Sequence, residues 1–105
     1  MAKPQSDLGN FTEPALLILV SLAAGPKHGY AMMEDIGKVA DVKIGPGTLY
    51  GALARLEQRG YIEPIESDDR RRPYRITATG SAVLREQLAA MESFASTGLA
   101  RLRLT

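Results

Sequence analysis

Four arginines fall within one short stretch, Arg70, Arg71, Arg72 and Arg75, with no acid among residues 70–75. Planar guanidinium groups so close together suit an anionic partner such as phosphate, which they grip with paired N–H donors. A second set lies upstream: Gly47, Thr48, Tyr50, Gly51, Arg55 and Gln58. Here small residues alternate with hydrogen-bonding ones, which suits a surface that another molecule approaches closely. Lys43, His28 and Tyr30 are further polar candidates. The rest of the chemical inventory is thin. There is no Cys and one His, so thiolate and multi-His metal sites within one chain are excluded. No Gly-rich phosphate loop, Ser/His/Asp set or framed carboxylate pair occurs, which argues against an enzyme and for no cofactor. The alternative roles are plain. Arg70–Arg72 could be a solvated turn balanced by Asp68 and Asp69, Arg55 could pair with acids on its own surface, and Lys43 and His28 could be passive.

The 105 residues suit one domain of ordinary size. Net charge is +1, from 13 Lys+Arg and 12 Asp+Glu, so the basic cluster implies one defined anionic contact rather than general stickiness. The longest apolar run, Ala15 to Val20, is far below the ~18 residues of a membrane span. Nothing in residues 1–10 has the pattern of a signal peptide. The expected location is cytoplasmic, with no membrane contact.

Several elements must hold these groups. Residues 1–10 are expected to be a flexible N-terminus. Thr12, with Glu13 and Pro14 behind it, is expected to cap a first helix that is apolar almost all round and stops at Gly25-Pro26. Gly29 to Ala40 is predicted as a second helix, with Tyr30, Met33 and Ile36 on one face and Glu34, Asp35 and Lys38 on the other. A third helix is predicted over Thr48 to Arg59, ended by Gly60. Its Leu49, Leu53 and Leu56 fall within about 60° of one another as a core stripe. Gly47, Gly51, Ala54, Arg55 and Gln58 point the other way, bordered by Thr48 and Tyr50. Tyr61, Ile62 and Ile65, then Tyr74 and Ile76, read as two short strands joined through residues 67–73. A last helix is expected from Thr77–Gly80 towards Leu104, with Leu84, Leu88, Met91, Ala95, Leu99 and Leu102 spaced as a near coiled-coil seam. Whether it runs unbroken through Gly98 is open. An apolar stripe on so long a projection needs a partner, so it is expected to hold a homodimer, with the first helix contributing.

The order of helix, helix, helix, hairpin and long helix is that of a winged helix-turn-helix with a terminal dimerisation helix. The fold class is therefore mainly α with a small β-hairpin. Residues 11–77 form the expected DNA-binding domain and residues 78–105 the dimerisation helix. The chain also resembles the PadR family of bacterial transcriptional regulators. Four stretches carry the resemblance: Ala15 to Leu22 with Gly25-Pro26; Gly29-Tyr30-Ala31-Met32; Gly47-Thr48-Leu49-Tyr50 with Leu53, Arg55-Leu56-Glu57 and Gly60; and Arg72-Pro73-Tyr74-Arg75-Ile76-Thr77 with Gly80. The length is similar to that of the short subfamily, which has a single C-terminal helix. The resemblance implies a dimer that binds a palindromic double-stranded DNA operator, usually as a repressor. Many members have Pro where this chain has Gly51, and some short members use Trp on the last helix to hold flat effectors; this chain has no Trp.

With the resemblance, the third helix is expected in the major groove, using Gly47, Thr48, Tyr50, Gly51 and Arg55. Arg70, Arg71 and Arg72 are expected on the adjacent backbone or in the minor groove. His28 and Lys43 are candidate phosphate contacts, and Tyr30 and Tyr74 are half-buried spacers with a polar tip at the same interface. A small-molecule effector pocket lined by Met32, Met33 and Met91 is weighed against simple core filling. The alternative function is a winged-helix module for protein–protein contact without DNA binding.

Overall fold

A computed structural model describes residues 13–67 and 70–104. Residues 1–10, Thr12, Asp68 and Asp69 lie outside the described residues, and the first helix has Glu13 rather than the expected Thr12 at its N-cap, without a side-chain hydrogen bond. The elements run α1 (Pro14–Ala23), α2 (Gly29–Ala40), α3 (Pro46–Gln58), β1 (Ile62–Pro64), β2 (Tyr74–Ile76) and α4 (Ala78–Arg103).

Helix α1 is the centre of the core. Leu16, Leu17, Ile18, Leu19, Ser21 and Leu22 are all buried, so most of its circumference is covered, as its unbroken apolar run requires. It packs against α2, α3, β2 and the start of α4. Helix α2 turns Gly29, Met32 and Ile36 inward. This corrects the predicted face: Tyr30 stands outward at 59% exposure, and Met33 only borders the core. Helix α3 buries Leu49, Ala52, Leu53 and Leu56, the expected stripe with one small residue added.

Helix α3 begins at Pro46, two residues before the sequence-based start at Thr48. The reason is local. Proline at the first helical position loses an N–H that would have no partner anyway, and its fixed φ is already helical. The helix ends in a glycine-dependent turn. Gly60 has φ +77°, its N–H donates to the Glu57 carbonyl at 3.0 Å, and the Tyr61 N–H donates to the Leu56 carbonyl at 3.0 Å. These two bonds satisfy carbonyls that the helix end would leave open.

Strands β1 and β2 are antiparallel, pairing Ile62 with Ile76, Glu63 with Arg75 and Pro64 with Tyr74. Tyr74 has a second neighbour. Its N–H donates to the Lys27 carbonyl at 3.1 Å, and the Lys27 N–H donates to the Tyr74 carbonyl at 3.2 Å. Residue 27 is thus a one-residue third strand, and β2 lies between it and β1. Pro64 is tolerated opposite Tyr74 because the Tyr74 backbone groups are spent on Lys27.

Helix α4 is capped by Thr77, whose Oγ1 accepts from the Gly80 N–H at 3.0 Å and donates to the Gly60 carbonyl at 2.6 Å. Gly80 is needed here because a Cβ would collide with the Tyr61 backbone carbonyl. The helix is continuous through Gly98 over its 26 residues, about 39 Å at 1.5 Å per residue. Only Gly80 and Leu84 of α4 are buried and Met91 packs at the core's edge, so the helix stands clear of the body beyond Met91 and accounts for much of the 57 Å long axis.

Candidate nucleic-acid interface

The outward surface of α3 is the most distinctive in the chain. Gly47, Thr48, Tyr50, Gly51, Ala54, Arg55 and Gln58 are all exposed. Gly45 caps the helix without a side-chain hydrogen bond, so its first-turn amides keep the partial positive charge that favours an anion. A Cβ placed on Gly47 meets nothing within 4 Å, and one on Gly51 meets only Arg55 Nη1 at 3.8 Å. The glycines are therefore not demanded by the protein's own packing. They keep that surface low. Arg55 makes no ion pair among the described residues.

Tyr50 is 52% exposed and leans toward the start of α2, where Gly29 makes room for it. A Cβ on Gly29 would lie 2.5 Å from the Tyr50 hydroxyl and 2.8 Å from its ring. Gly29 is not among the expected site residues, although it opens the Gly29-Tyr30-Ala31-Met32 stretch. The α2 start is also where His28 sits. His28 is the N-cap, and its Nδ1 accepts from the Ala31 N–H at 3.5 Å. That leaves Nε2 as the ring nitrogen for any outside contact. Tyr30 is exposed in the same first turn, and Lys43 is exposed in the α2–α3 connector.

The arginine cluster divides in two. Arg75 Nε lies 2.7 Å from Glu63 Oε2, its cross-strand partner, so this arginine is engaged within the hairpin. Arg70, Arg71 and Arg72 are exposed on the loop between the strands. Tyr74 is half-buried and packs against the core.

The three methionines weighed as a pocket lining lie in different places. Met32 is fully buried core, Met33 borders an open groove of about 450 Å³ with Tyr30, Val42 and Lys43, and Met91 is on α4 away from that groove. Among the described residues, no group of three or more His, Cys, Asp or Glu could hold a metal ion, and no helix is long and apolar enough to cross a membrane.

The α4 stripe also divides. Leu84 is only 5% exposed and belongs to the chain's own core, and Met91 packs at the core's edge. Leu88, Ala95, Leu99 and Leu102 are exposed. Phe94, at 83% exposure, and Leu104 add apolar surface that the seam spacing did not select.

Comparison with known proteins decides the family. The family model for the "Transcriptional regulator PadR-like family" matches residues 18–86. The chain belongs to the PadR-like family of transcriptional regulators. A transcriptional regulator of Mycobacterium tuberculosis, Rv3488, is 34% identical over 83 residues, covering 76% of this chain and 77% of that protein. A 37.1 kDa uncharacterised protein in transposon TN4556 of Streptomyces fradiae is 43% identical over 76 residues, which is 72% of this chain but only 22% of that protein. Among solved structures, a transcriptional regulator from Clostridium thermocellum aligns with a TM-score of 0.70 and 32% identity, over 79% of this chain and 86% of that one. A PadR family transcription regulator from Clostridium difficile aligns with a TM-score of 0.76 over 89% of this chain and 99% of that one; at 20% identity it speaks to the fold alone. This PadR-like chain therefore has the winged-helix architecture of its relatives, with α3 and the β1–β2 hairpin where that architecture places its helix and wing.

Proposed function

We propose that this PadR-like regulator acts as a homodimer that binds double-stranded DNA in a sequence-specific manner, as a repressor at a pseudo-palindromic operator. The observation that carries the reading is the outward surface of α3: seven small or hydrogen-bonding residues, all exposed, on a helix whose glycines serve no internal contact. In the major groove, Gly47 and Gly51 permit close backbone approach. Thr48 and Tyr50 donate to phosphate, and Arg55 reaches base edges or backbone late in the helix. Arg70, Arg71 and Arg72 on the wing touch the flanking backbone, where guanidinium groups meet phosphate without a fixed base geometry. The exposed α4 residues Leu88, Ala95, Leu99 and Leu102 pair two copies, so that two α3 helices meet half-sites about one DNA turn apart, ~34 Å or a multiple of it.

The test is selection from a random duplex library by the full-length protein, followed by sequencing. A pseudo-palindromic consensus with half-sites spaced by about one turn is the expected outcome. Recovery of no consensus over repeated rounds, with no retention of random duplex at low salt, refutes DNA binding. If the dimer neutralises about 6–8 phosphates, the logarithm of the binding constant falls against the logarithm of salt with a slope of about −5 to −7.

A further inference from the structure

The three residues 27–29 touch three different parts of the fold. The Lys27 backbone pairs in both directions with Tyr74 in β2. The Lys27 ammonium turns the opposite way and donates to the Ser21 carbonyl near the end of α1 and to the Gly25 carbonyl at 3.2 Å. His28 caps α2, and Gly29 receives the Tyr50 ring from α3. Lys27 is partly buried, so these charge-assisted bonds form away from bulk water, where they are stronger than exposed ones. The positive charge also sits at the carbonyl end of α1, the favourable end for a cation.

We propose that Lys27 is a positioning residue for the wing: its ammonium ties the 27–29 segment to α1, and the segment sets the wing at a fixed distance from α3. The inference rests on the DNA-binding reading above and deepens it. A wing and a reading helix act together on one duplex only if their spacing matches the groove. Strands β1 and β2 are three residues each, too short to hold a position unaided. On its β2 side the wing is fastened to the body by the Lys27 bonds together with the packing of Tyr74 and Ile76 on the core. Without the ammonium, residue 27 keeps its backbone partners but loses the anchor that fixes it to α1. The arginines at the tip then sample positions off the duplex.

The test uses the full chain with Lys27→Met, near-isosteric and uncharged, and Lys27→Arg, which keeps the charge. The first measurement needs no DNA: amide hydrogen exchange at Lys27, Tyr74 and Leu53. Lys27→Met is expected to speed exchange at Lys27 and Tyr74 by about tenfold while Leu53, inside α3, is unchanged, and Lys27→Arg is expected to restore most of the protection. Unchanged exchange at Tyr74, or an equal rise at all three amides, overturns the proposal.

The second measurement is a double-mutant cycle on the selected duplex, with Arg70→Ala plus Arg72→Ala as the other arm. Lys27→Met should weaken binding about tenfold in the parent and less than about twofold once the wing arginines are gone. Equal losses in both backgrounds overturn the positioning role. A salt slope reduced by about one would identify Lys27 instead as a direct phosphate contact. If the parent binds no duplex, the DNA-binding reading fails by itself, and the exchange result still decides whether Lys27 holds the wing.

Discussion

Removing Leu99 and Leu102 from α4 should convert the proposed dimer into a monomer without disturbing the fold of either chain. The magnitude follows from their exposure. Full burial of a Leu side chain is worth about 1.5–3 kcal/mol. Leu99 and Leu102 are 58% and 69% exposed in the single chain, so most of that gain is still to be collected from a partner. This comes to about 1–2 kcal/mol each, and a two-fold interface counts every residue twice. Alanine keeps part of the area, so Leu99→Ala with Leu102→Ala should cost about 4–6 kcal/mol of association, or three to four powers of ten in Kd. Neither side chain is in the core, and Ala is the best helix former, so helicity should hold or rise slightly. Sedimentation velocity over a dilution series measures the Kd, with circular dichroism as the control for folding. A double variant that dimerises within about threefold of the parent would refute the assignment of this stripe to the interface.

Gly80→Ala should lower stability by about 2–4 kcal/mol, because the new methyl meets the Tyr61 carbonyl, a backbone atom that cannot swing away; thermal denaturation reads this directly, and a Tm unchanged within a degree would contradict it. Replacing Arg70, Arg71 and Arg72 together by Ala should weaken binding to selected and random duplexes by similar factors and reduce the salt slope by about two to three. If random-duplex binding stayed constant while selected-duplex binding fell, the wing would be reading bases.

Much of this architecture is written in local sequence. The α3 stripe of Leu49, Leu53 and Leu56 follows from helical period alone, and Gly25-Pro26 and Gly60 mark helix ends because few other residues fit there. The errors have physical sources. The expected start at Thr48 falls two residues late, because proline at the first helical position is itself a start signal. Tyr30 and Met33 share a face with Ile36 by spacing, but the inner face of α2 carries Gly29 and Met32, and at Gly29 the Tyr50 ring of α3 comes too close for a side chain. Leu84 continues the α4 seam in sequence, and periodicity cannot say at which turn a helix leaves the body. The pairings of Arg75 with Glu63 and of Lys27 with Tyr74 join residues far apart in the chain, and neither leaves a local trace. The outward α3 residues were all legible as a group, since an exposed helix surface rich in glycine has a cost, about 1 kcal/mol per residue against Ala, that internal packing does not explain.

The central claim is that this α3 surface meets DNA, and Gly51→Glu tests it most directly. There is room for the side chain: only Arg55 Nη1 lies within 4 Å of the new Cβ, at 3.8 Å. Helix propensity favours the change, and Leu49, Leu53 and Leu56 stay buried. The variant should therefore fold and assemble like the parent while placing bulk and a negative charge against the duplex. Fluorescence anisotropy on the selected duplex should then show affinity reduced by at least about a hundredfold, as expected when a like charge is forced against phosphate at close range. A folded variant with the parent's oligomeric state and the parent's affinity would contradict the account.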